Sequence, residues 1–218
     1  MTDFSDRSFQ LLSELAVNND RDWFKAYKDE FEQVLLDPFA ATLEAISHRL
    51  QDRGMNFTGG KKTMFRMNRD VRFSRDKSPY KTNVSGMLTP GGEKRESGGF
   101  VYLQLQHNGG FAAFGRYNLR PAALGPIRDK ILEKPERFRA ILTEVQSTGL
   151  DLVRDDSLKS TPRGYSEHSD HPHADELKLK SMMVRIDLTA DEFKSGAAVD
   201  RVSETALTCQ QFIDVVSV

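Results

Sequence analysis

Cysteine is nearly absent from this sequence, since Cys209 is the only one among 218 residues. A disulfide within the chain needs a second cysteine, and structural zinc sites usually take more than one, so the sequence excludes a disulfide framework and a cysteine-based zinc site. It also has no apolar run of about 18 residues, and charged residues interrupt the N-terminal segment 1–15. We therefore expect a cytoplasmic protein with no membrane partner.

Several motifs of common enzyme classes are missing as well. The sequence contains no Walker phosphate loop, no G-x-G-x-x-G between a strand and a helix, no G-x-S-x-G elbow and no H-E-x-x-H helix. These absences disfavour the usual nucleotide hydrolases, dinucleotide enzymes and serine hydrolases. We expect no cofactor.

The composition is that of an ordinary globular protein, with 38% hydrophobic residues and a mean hydropathy of -0.54. A chain of this length buries roughly 70% of its unfolded surface, which is enough for a hydrophobic core without disulfide or metal support. Helical patterns lie at both ends and strand patterns in the middle. The sequence therefore predicts a single α+β domain over residues 1–218, with a central, largely antiparallel sheet and the N- and C-terminal helices packed on it.

Local signals predict the main elements. Ser5, Asp20 and Pro38 are placed to begin helices in the first quarter of the chain, and Pro121 and Pro135 to begin two more. Alternating residues around Asn108-Gly109 predict a hairpin with a type I′ turn, with Val101, Leu103 and Leu105 on one face. The remaining predictions are a short strand over 63–67, a short helix near 176–182, a strand over 183–188, helix from Asp191 and Ala197 onward, and an apolar tail over 212–218.

Charge is distributed unevenly along the chain. The formal net charge is -1, but the segment 61–81 contains eight basic and two acidic residues, so it carries +6 and the rest of the chain -7. The basic residues are Lys61, Lys62, Arg66, Arg69, Arg72, Arg75, Lys77 and Lys81, and the acidic ones are Asp70 and Asp76. Such a local excess of one sign indicates an electrostatic role for this basic segment.

Two interpretations of the basic segment are open. If residues 66–72 are extended, Arg66 and Arg72 share a face with Asp70 between them, and guanidinium groups bind phosphate or carboxylate bidentately. This predicts a site for a small anionic ligand, formed by Arg66, Arg72, Lys77, Tyr80 and Lys81. Alternatively, Asp70 and Asp76 pair with neighbouring cations in a surface lattice that has no measurable function.

Three stretches carry a resemblance to a protein family. They are Asn18-Asn19-Asp20-Arg21-Asp22-Trp23-Phe24, the run from Arg69 to Asn83, and Pro162-Arg163-Gly164-Tyr165 with His171-Pro172 and Leu177-Lys178. Over nearly the whole chain the sequence resembles the domain-of-unknown-function family 2461. The resemblance implies a single-domain protein of bacteria and some fungi without an established activity, so it implies no catalytic role for any residue.

The stretch 161–175 contains proline, glycine and three histidines, which predicts a polar loop. Arg163 and Tyr165 either reach a ligand together with Lys178, or they belong to a turn whose tyrosine packs on the core. Metal-ligating side chains are also dense here, but metal sites need rigid support that a proline-containing loop lacks, so we predict no metal site. The ligand-type residues are His168, Asp170, His171, His173 and Asp175.

Three functions compete. The first is a binding module for a small anionic ligand, to which Arg163, Tyr165 and Lys178 would contribute if both motifs meet in one pocket. The second is an enzyme acting on a phosphorylated or nucleotide-like substrate, with Asp70 or His171 as general acid or base. The third is a nucleic-acid or protein interaction module. The near-neutral net charge disfavours nucleic acid, and we expect the first; the sequence does not indicate an oligomeric state.

Overall fold

The protein is described by a computed structural model that covers residues 4–94, 96 and 98–217. The fold class is α+β, as predicted, with about 49% of the residues in helices and 17% in strands. Four strands form one antiparallel sheet in the order β1-β2-β3-β4. They are β1 Asn83–Leu88, β2 Phe100–Gln106, β3 Gly109–Arg116 and β4 Met182–Thr189.

Helices precede, interrupt and follow the sheet in the sequence. Before it lie α1 Asp6–Val17, α2 Arg21–Ala26, α3 Lys28–Phe31 and α4 Asp37–Asp52, with a π-helical segment Glu32–Leu36 between α3 and α4. Between β3 and β4 lie α5 Pro121–Glu133, α6 Pro135–Ser147 and α7 Ala174–Leu177. After it come α8 Ala190–Ser195, α9 Ala197–Thr208 and α10 Gln210–Val216. Single 3₁₀ turns occupy Lys61–Thr63 and Ser166–His168.

The chain divides into two compact units. The first contains residues 1–96, 101–112 and 187–207, and the second contains residues 97–100, 113–186 and 208–218. That the whole chain forms one domain stays a prediction.

The first unit begins with the helices that the capping residues predict. Asp20 accepts hydrogen bonds from the backbone N–H groups of Asp22 and Trp23, both at 2.9 Å, which satisfies two donors at the start of α2. Gly86 of β1 lies so close to α4 that an added Cβ would stand 2.5 Å from Cδ1 of Leu43. Glycine at this position therefore lets β1 pack directly on α4.

The hairpin strands also lie where the alternation places them. Val101, Leu103 and Leu105 are fully buried on one face of β2, as predicted. The prediction of a type I′ turn is wrong, because this turn requires a positive φ at both Asn108 and Gly109, and of the two only Gly109 has a positive φ. A Cβ on Gly109 would lie 2.4 Å from the carbonyl oxygen of Leu188, so the approach of β4 requires glycine here.

In the second unit, α5 and α6 begin at Pro121 and Pro135, as predicted. Helix α10 contains most of the apolar tail and packs on both of them, burying Phe212 and Ile213 completely. Residue 218, the end of the predicted tail, lies outside the described residues.

Three local predictions are wrong. The helix expected near 176–182 lies earlier, at α7, because β4 already begins at residue 182. The helix predicted to begin at Asp20 is not one continuous helix, because it is broken into α2 and α3 at Tyr27. No strand forms over 63–67, because this stretch pairs with β1 only where the Phe65 N–H donates to the Ser85 carbonyl, 2.8 Å away, and then turns away.

Candidate functional site

The basic segment folds back on itself just before β1. The Lys81 N–H donates to the Met67 carbonyl at 2.7 Å, and the Arg69 N–H donates to the Pro79 carbonyl at 2.8 Å. These two bonds close a loop over residues 70–78, which we call the basic loop. Pro79 cannot donate a hydrogen bond, but its carbonyl remains free to accept one, so the Ser78-Pro79 step fits at the base of this loop.

Asn19 fixes the returning arm of this loop to the N-terminal helices. Its Nδ2 donates to the Tyr80 carbonyl at 3.0 Å, and the Tyr80 N–H donates to its Oδ1 at 3.0 Å. The Tyr80 ring stacks on Phe24 of α2, with 3.9 Å between the ring centroids and 17° between the planes. The connection between α1 and α2 is thereby held against the returning arm of the basic loop, although the two are distant in sequence.

A surface cavity of about 380 Å³ lies where these stretches meet. Its wall is mostly polar, with charged, hydroxyl and amide side chains around the opening. The lining residues are Ala16, Asn19, Arg69, Asp76, Ser78, Tyr80, Lys81, Thr82 and Asn83. A polar cavity of this size suits a small polar ligand better than a large apolar one.

Lys81 is the unpaired cation of this wall. It is half-buried, and burial lowers the pKa of its ammonium group, with the nearby positive charge of Arg66 lowering it further. Its Nζ lies 5.6 Å from the ring centroid of Phe65. Neither Lys81 nor the exposed Arg66 forms an ion pair with a carboxylate among residues 4–94, 96 and 98–217. Lys81 therefore stands beside a second positive charge, and only Arg66 of the two has an electrostatic interaction with a carboxylate, that of Asp70.

Arg69 and Asp76 form an ion pair on the same wall. Asp76 also accepts a hydrogen bond from the Ser78 N–H at 2.9 Å. Hydrogen bonds from Ser78 and from the Arg69 guanidinium hold the pKa of Asp76 well below its usual range. Because this carboxylate neutralises Arg69, the positive charge available to a ligand in the cavity belongs to Lys81.

The arrangement of Arg72 corrects the predicted strand. Residues 66–72 are not a strand, so strand alternation does not position Arg66 and Arg72, although the charges of both act on Asp70. Arg72 instead binds Asp70 through Nε–Oδ1 at 2.9 Å and Nη2–Oδ2 at 2.6 Å, and its side chain is 76% exposed. Lys77 donates to the Val71 carbonyl at 2.9 Å. Neither Arg72 nor Lys77 lines the cavity, which fits the ion-pair interpretation for this part of the segment.

Comparison with known proteins places the chain in a family. A family model described as "Conserved hypothetical protein (DUF2461)" matches residues 7–214. The chain belongs to the DUF2461 family. No curated protein and no solved structure matches it. Within the described part of the chain, every helix is too short or too polar to span a bilayer.

The third DUF2461-like motif lies in the second unit. The Tyr165 hydroxyl donates to Asp129 Oδ1 at 2.7 Å and also lies 3.2 Å from the Gly125 carbonyl, so the tyrosine is fixed to α5. Lys178 pairs with Asp175 at 2.8 Å, and Arg163 is exposed. None of Arg163, Tyr165 and Lys178 lines the cavity of the first unit, and a pocket shared by both motifs stays a prediction.

One histidine of the histidine-rich loop, His173, is buried. His173 is 4% exposed, its Nε2 lies 3.0 Å from the Pro135 carbonyl, and its Nδ1 lies 3.4 Å from buried Glu176. Glu176 in turn pairs with Arg154 at 2.8 Å. Among the residues that the structure describes, no three His, Cys, Asp or Glu side chains are grouped so as to hold a metal ion.

The two catalytic candidates have different surroundings. Hydrogen bonds from Arg72 lower the pKa of Asp70, so this carboxyl group is ionised at neutral pH and has no proton to give. Burial and the neighbouring histidines lower the pKa of His171, whose Nδ1 accepts a hydrogen bond from the His173 N–H at 3.1 Å. A catalytic role for either residue stays a prediction.

Sequence reasoning missed several residues of the cavity. Asn19 has no predicted role beyond its place in the first family-like stretch, although its side chain holds the backbone of Tyr80. Thr82 and Asn83 follow Lys81 directly and line the cavity, but uncharged polar residues at a strand start carry no distinct signal. The one sequence signal for Asn19, Thr82 and Asn83 is that each lies in a family-like stretch.

Proposed function

We propose that the protein binds a small anionic ligand, bearing a phosphate or carboxylate group, in the cavity beside Lys81. The observation that carries this proposal is the half-buried ammonium group of Lys81, which faces the cavity without a carboxylate partner in the described chain. Lys81 is partly desolvated and lies next to a second cation, Arg66. A bound anion therefore stabilises its charge more than it would stabilise a fully hydrated ammonium group. A bound oxyanion would supply the missing counter-charge.

The rest of the cavity supports an oxyanion with polar attachments. Ser78, Thr82 and Asn83 contribute hydroxyl and amide groups, and the Tyr80 backbone is fixed by Asn19. Hydroxyl and amide groups donate to oxygen acceptors, while the carboxylate of Asp76 favours a ligand that also offers a donor, such as a hydroxyl group. A phosphorylated or carboxylated metabolite with hydroxyl groups has both features.

Few charge-assisted bonds are available, so the affinity should be modest. Each contributes about 1.5–3 kcal/mol net, and association entropy offsets part of the sum. Two or three such bonds support dissociation constants in the micromolar to millimolar range. The proposed site does not include Arg72 and Lys77, because the first is paired with Asp70 and the second is bound to a carbonyl group.

A thermal-shift titration tests the proposal. The wild type is titrated with sodium phosphate, sodium succinate and adenosine monophosphate at constant ionic strength set with sodium chloride. A ligand at about 100 times its dissociation constant adds about 2.7 kcal/mol to stability, which raises Tm by a few degrees in a protein of this size. We expect this shift in the wild type and in Lys25→Gln, an exposed lysine outside the cavity, and its loss in Lys81→Gln.

Two outcomes contradict the proposal. One is no shift with any of the three anions. The other is an equal shift in Lys81→Gln and in the wild type, which would place the bound anion elsewhere.

One observation favours a second candidate, an interaction module for nucleic acid. Phe73 in the basic loop is 95% exposed and lies between two arginines, with Arg72 5.8 Å from its ring centroid. An exposed aromatic ring among cations suits the stacking of unpaired bases. Binding of a labelled single-stranded oligonucleotide that falls steeply with salt and is weakened by Phe73→Ala would support this function, whereas equal binding by Phe73→Ala would contradict it.

A further inference from the structure

Arg128, on the inner face of α5, is a charged residue that is almost completely buried. It is 4% exposed, and its Nε donates to the Leu177 carbonyl at 2.8 Å. Burial lowers the pKa of its guanidinium group. No carboxylate of the described residues pairs with it. Arginine is rarely buried to this extent without an acidic partner. The site therefore lacks the negatively charged group that normally accompanies a buried guanidinium group.

The surroundings of Arg128 do not compensate for this charge. The Leu177 carbonyl provides one dipole, and the Tyr165 ring, with its centroid 5.6 Å from the guanidinium carbon, provides a cation–π contact. Both interactions stabilise a cation, but neither neutralises it. Removal of a guanidinium group from water without a counter-charge is costly, and a bound anion would offset that cost.

The nitrogen atoms of Arg128 indicate where an anion would bind. Within the described chain, every fully buried side-chain nitrogen or oxygen has a hydrogen-bond partner. Nε is the atom of Arg128 that makes a hydrogen bond, so its two Nη atoms must retain contact with the surface. The Nη1–Nη2 edge presents parallel N–H donors, which match the two oxygens of a carboxylate or phosphate group.

The third family-like motif contributes the aromatic ring that lies beside the Arg128 guanidinium group. The Tyr165 hydroxyl is fixed by Asp129 and the Gly125 carbonyl, so its ring is held against Arg128. The Tyr165 N–H donates to the Pro162 carbonyl at 3.0 Å, which closes the turn that carries Arg163. Arg163 is exposed, and its side chain has no partner among the described residues. It can supply a second cation to a ligand held at this turn.

We propose that Arg128, with Tyr165 beside it and Arg163 in the adjoining turn, forms a second oxyanion-binding site, which takes the carboxylate or phosphate group of a ligand. The site lies wholly in the second unit and does not depend on the cavity at Lys81. It gives a role to Arg163 and Tyr165 that the first cavity does not provide.

The test uses Lys81→Gln as the parent protein, so that anion binding at the first cavity does not contribute. Tm is measured in sodium phosphate and in sodium acetate, each against sodium chloride at equal ionic strength. We expect at least one anion to raise Tm saturably, with phosphate and acetate separating the two ligand classes. The response should be lost when Arg128→Met is added, weakened at least tenfold in apparent affinity by Arg163→Gln, and retained in Arg137→Gln, an exposed arginine of α6.

The stability of Arg128→Met without added anion gives a second criterion. If the charge is an unsatisfied ligand-binding group, the neutral side chain should leave Tm in chloride unchanged or higher. A lower Tm in chloride together with no anion response in the parent would show a structural arginine and overturn the proposal.

A variant that does not fold leaves the proposal testable in the parent protein. The Nε–Hε resonance of Arg128, assigned by its absence from the spectrum of Arg128→Lys, should shift saturably with the anion in a nitrogen-15 NMR titration. A resonance that does not move also overturns the proposal.

Discussion

Asn19 holds the backbone of Tyr80 through two reciprocal hydrogen bonds across 61 residues of sequence. The amide side chain reproduces the donor and acceptor pattern of a strand partner for Tyr80, which forms an isolated antiparallel bridge with Asn68 on its other side. Lys81 follows directly in the chain. The position of its ammonium group in the cavity therefore depends on a side chain from the connection between α1 and α2.

Asn19→Ala should destabilise the protein and weaken anion binding together. Two net hydrogen bonds are worth about 1–3 kcal/mol, and their loss frees the arm that carries Lys81. Urea denaturation measures the first effect and a phosphate titration the second. Asn18→Ala is the matched control, because the side chain of Asn18 donates to the Glu14 carbonyl at the end of its own helix. Equal stability of the two variants would mean that the pair with Tyr80 contributes nothing.

Asp76→Asn should bind phosphate several-fold more tightly than the wild type. The substitution removes the negative charge of the cavity wall and frees Arg69 from its ion pair. Isothermal titration calorimetry measures the dissociation constant. Asp70→Asn makes the same charge change beside Arg72, outside the cavity, and should have a much smaller effect. A similar gain in both variants would indicate general electrostatics rather than a site at the cavity.

The pair of Arg7 and Glu30 should make stability depend on pH. Hydrogen bonds from Arg7, at 2.6 and 3.0 Å, lower the pKa of Glu30 in the folded protein. The contribution of this ion pair to the stability of the protein is therefore fully present above the unfolded pKa of Glu30, about 4.3. It is lost as the pH falls through the lowered pKa of Glu30 in the folded protein. Glu30→Gln should cost about 0.5–1 kcal/mol at pH 7, allowing for solvent screening.

The difference between wild type and Glu30→Gln should shrink steadily below about pH 4 when urea denaturation is repeated across the pH range. Glu133→Gln, at an exposed position at the end of α5, is the control variant. A difference for Glu30→Gln that is constant with pH would exclude the ion pair as its cause.

Gly86→Ala should destabilise the protein by about 1–3 kcal/mol. Its Cβ would lie 2.5 Å from Leu43 Cδ1 and 3.3 Å from Phe39 Cε1, so these buried side chains or the backbone of β1 would have to shift. Gly98→Ala is the control, because an added Cβ there meets nothing within 4 Å. Thermal denaturation of both variants measures the effect, and equal Tm values would mean that the contact with α4 relaxes freely.

Cys209 should not react with thiol reagents while the protein is folded. The side chain is completely buried, and burial raises the pKa of its thiol to about 12. Thiolate is the reactive form, so labelling by dithionitrobenzoate at pH 8 should follow global unfolding. Stoichiometric labelling within seconds in native buffer would show that this part of the second unit opens locally.

The sequence alone determined the features that depend on neighbouring residues. Asp20 caps α2, Pro121 and Pro135 begin α5 and α6, and alternation identified the buried face of β2. Such signals act over a few residues, through backbone geometry and side-chain periodicity, so they can be read from the chain. The family-like motifs also identified the stretches that line most of the cavity and that form the turn closed by the Tyr165–Pro162 hydrogen bond.

Only the tertiary structure decided which residues meet. The pairing of Asn19 with Tyr80, the isolation of Lys81 from any described carboxylate and the burial of Arg128 all depend on contacts between distant segments. The same reason explains the errors. Residues 63–67 alternate like a strand but pair with β1 at a single isolated bridge. Glycine is required at position 109 by the close approach of Leu188 rather than by the type of turn. Charge and burial at a site are properties of the surroundings, and in a folded chain distant residues supply those surroundings.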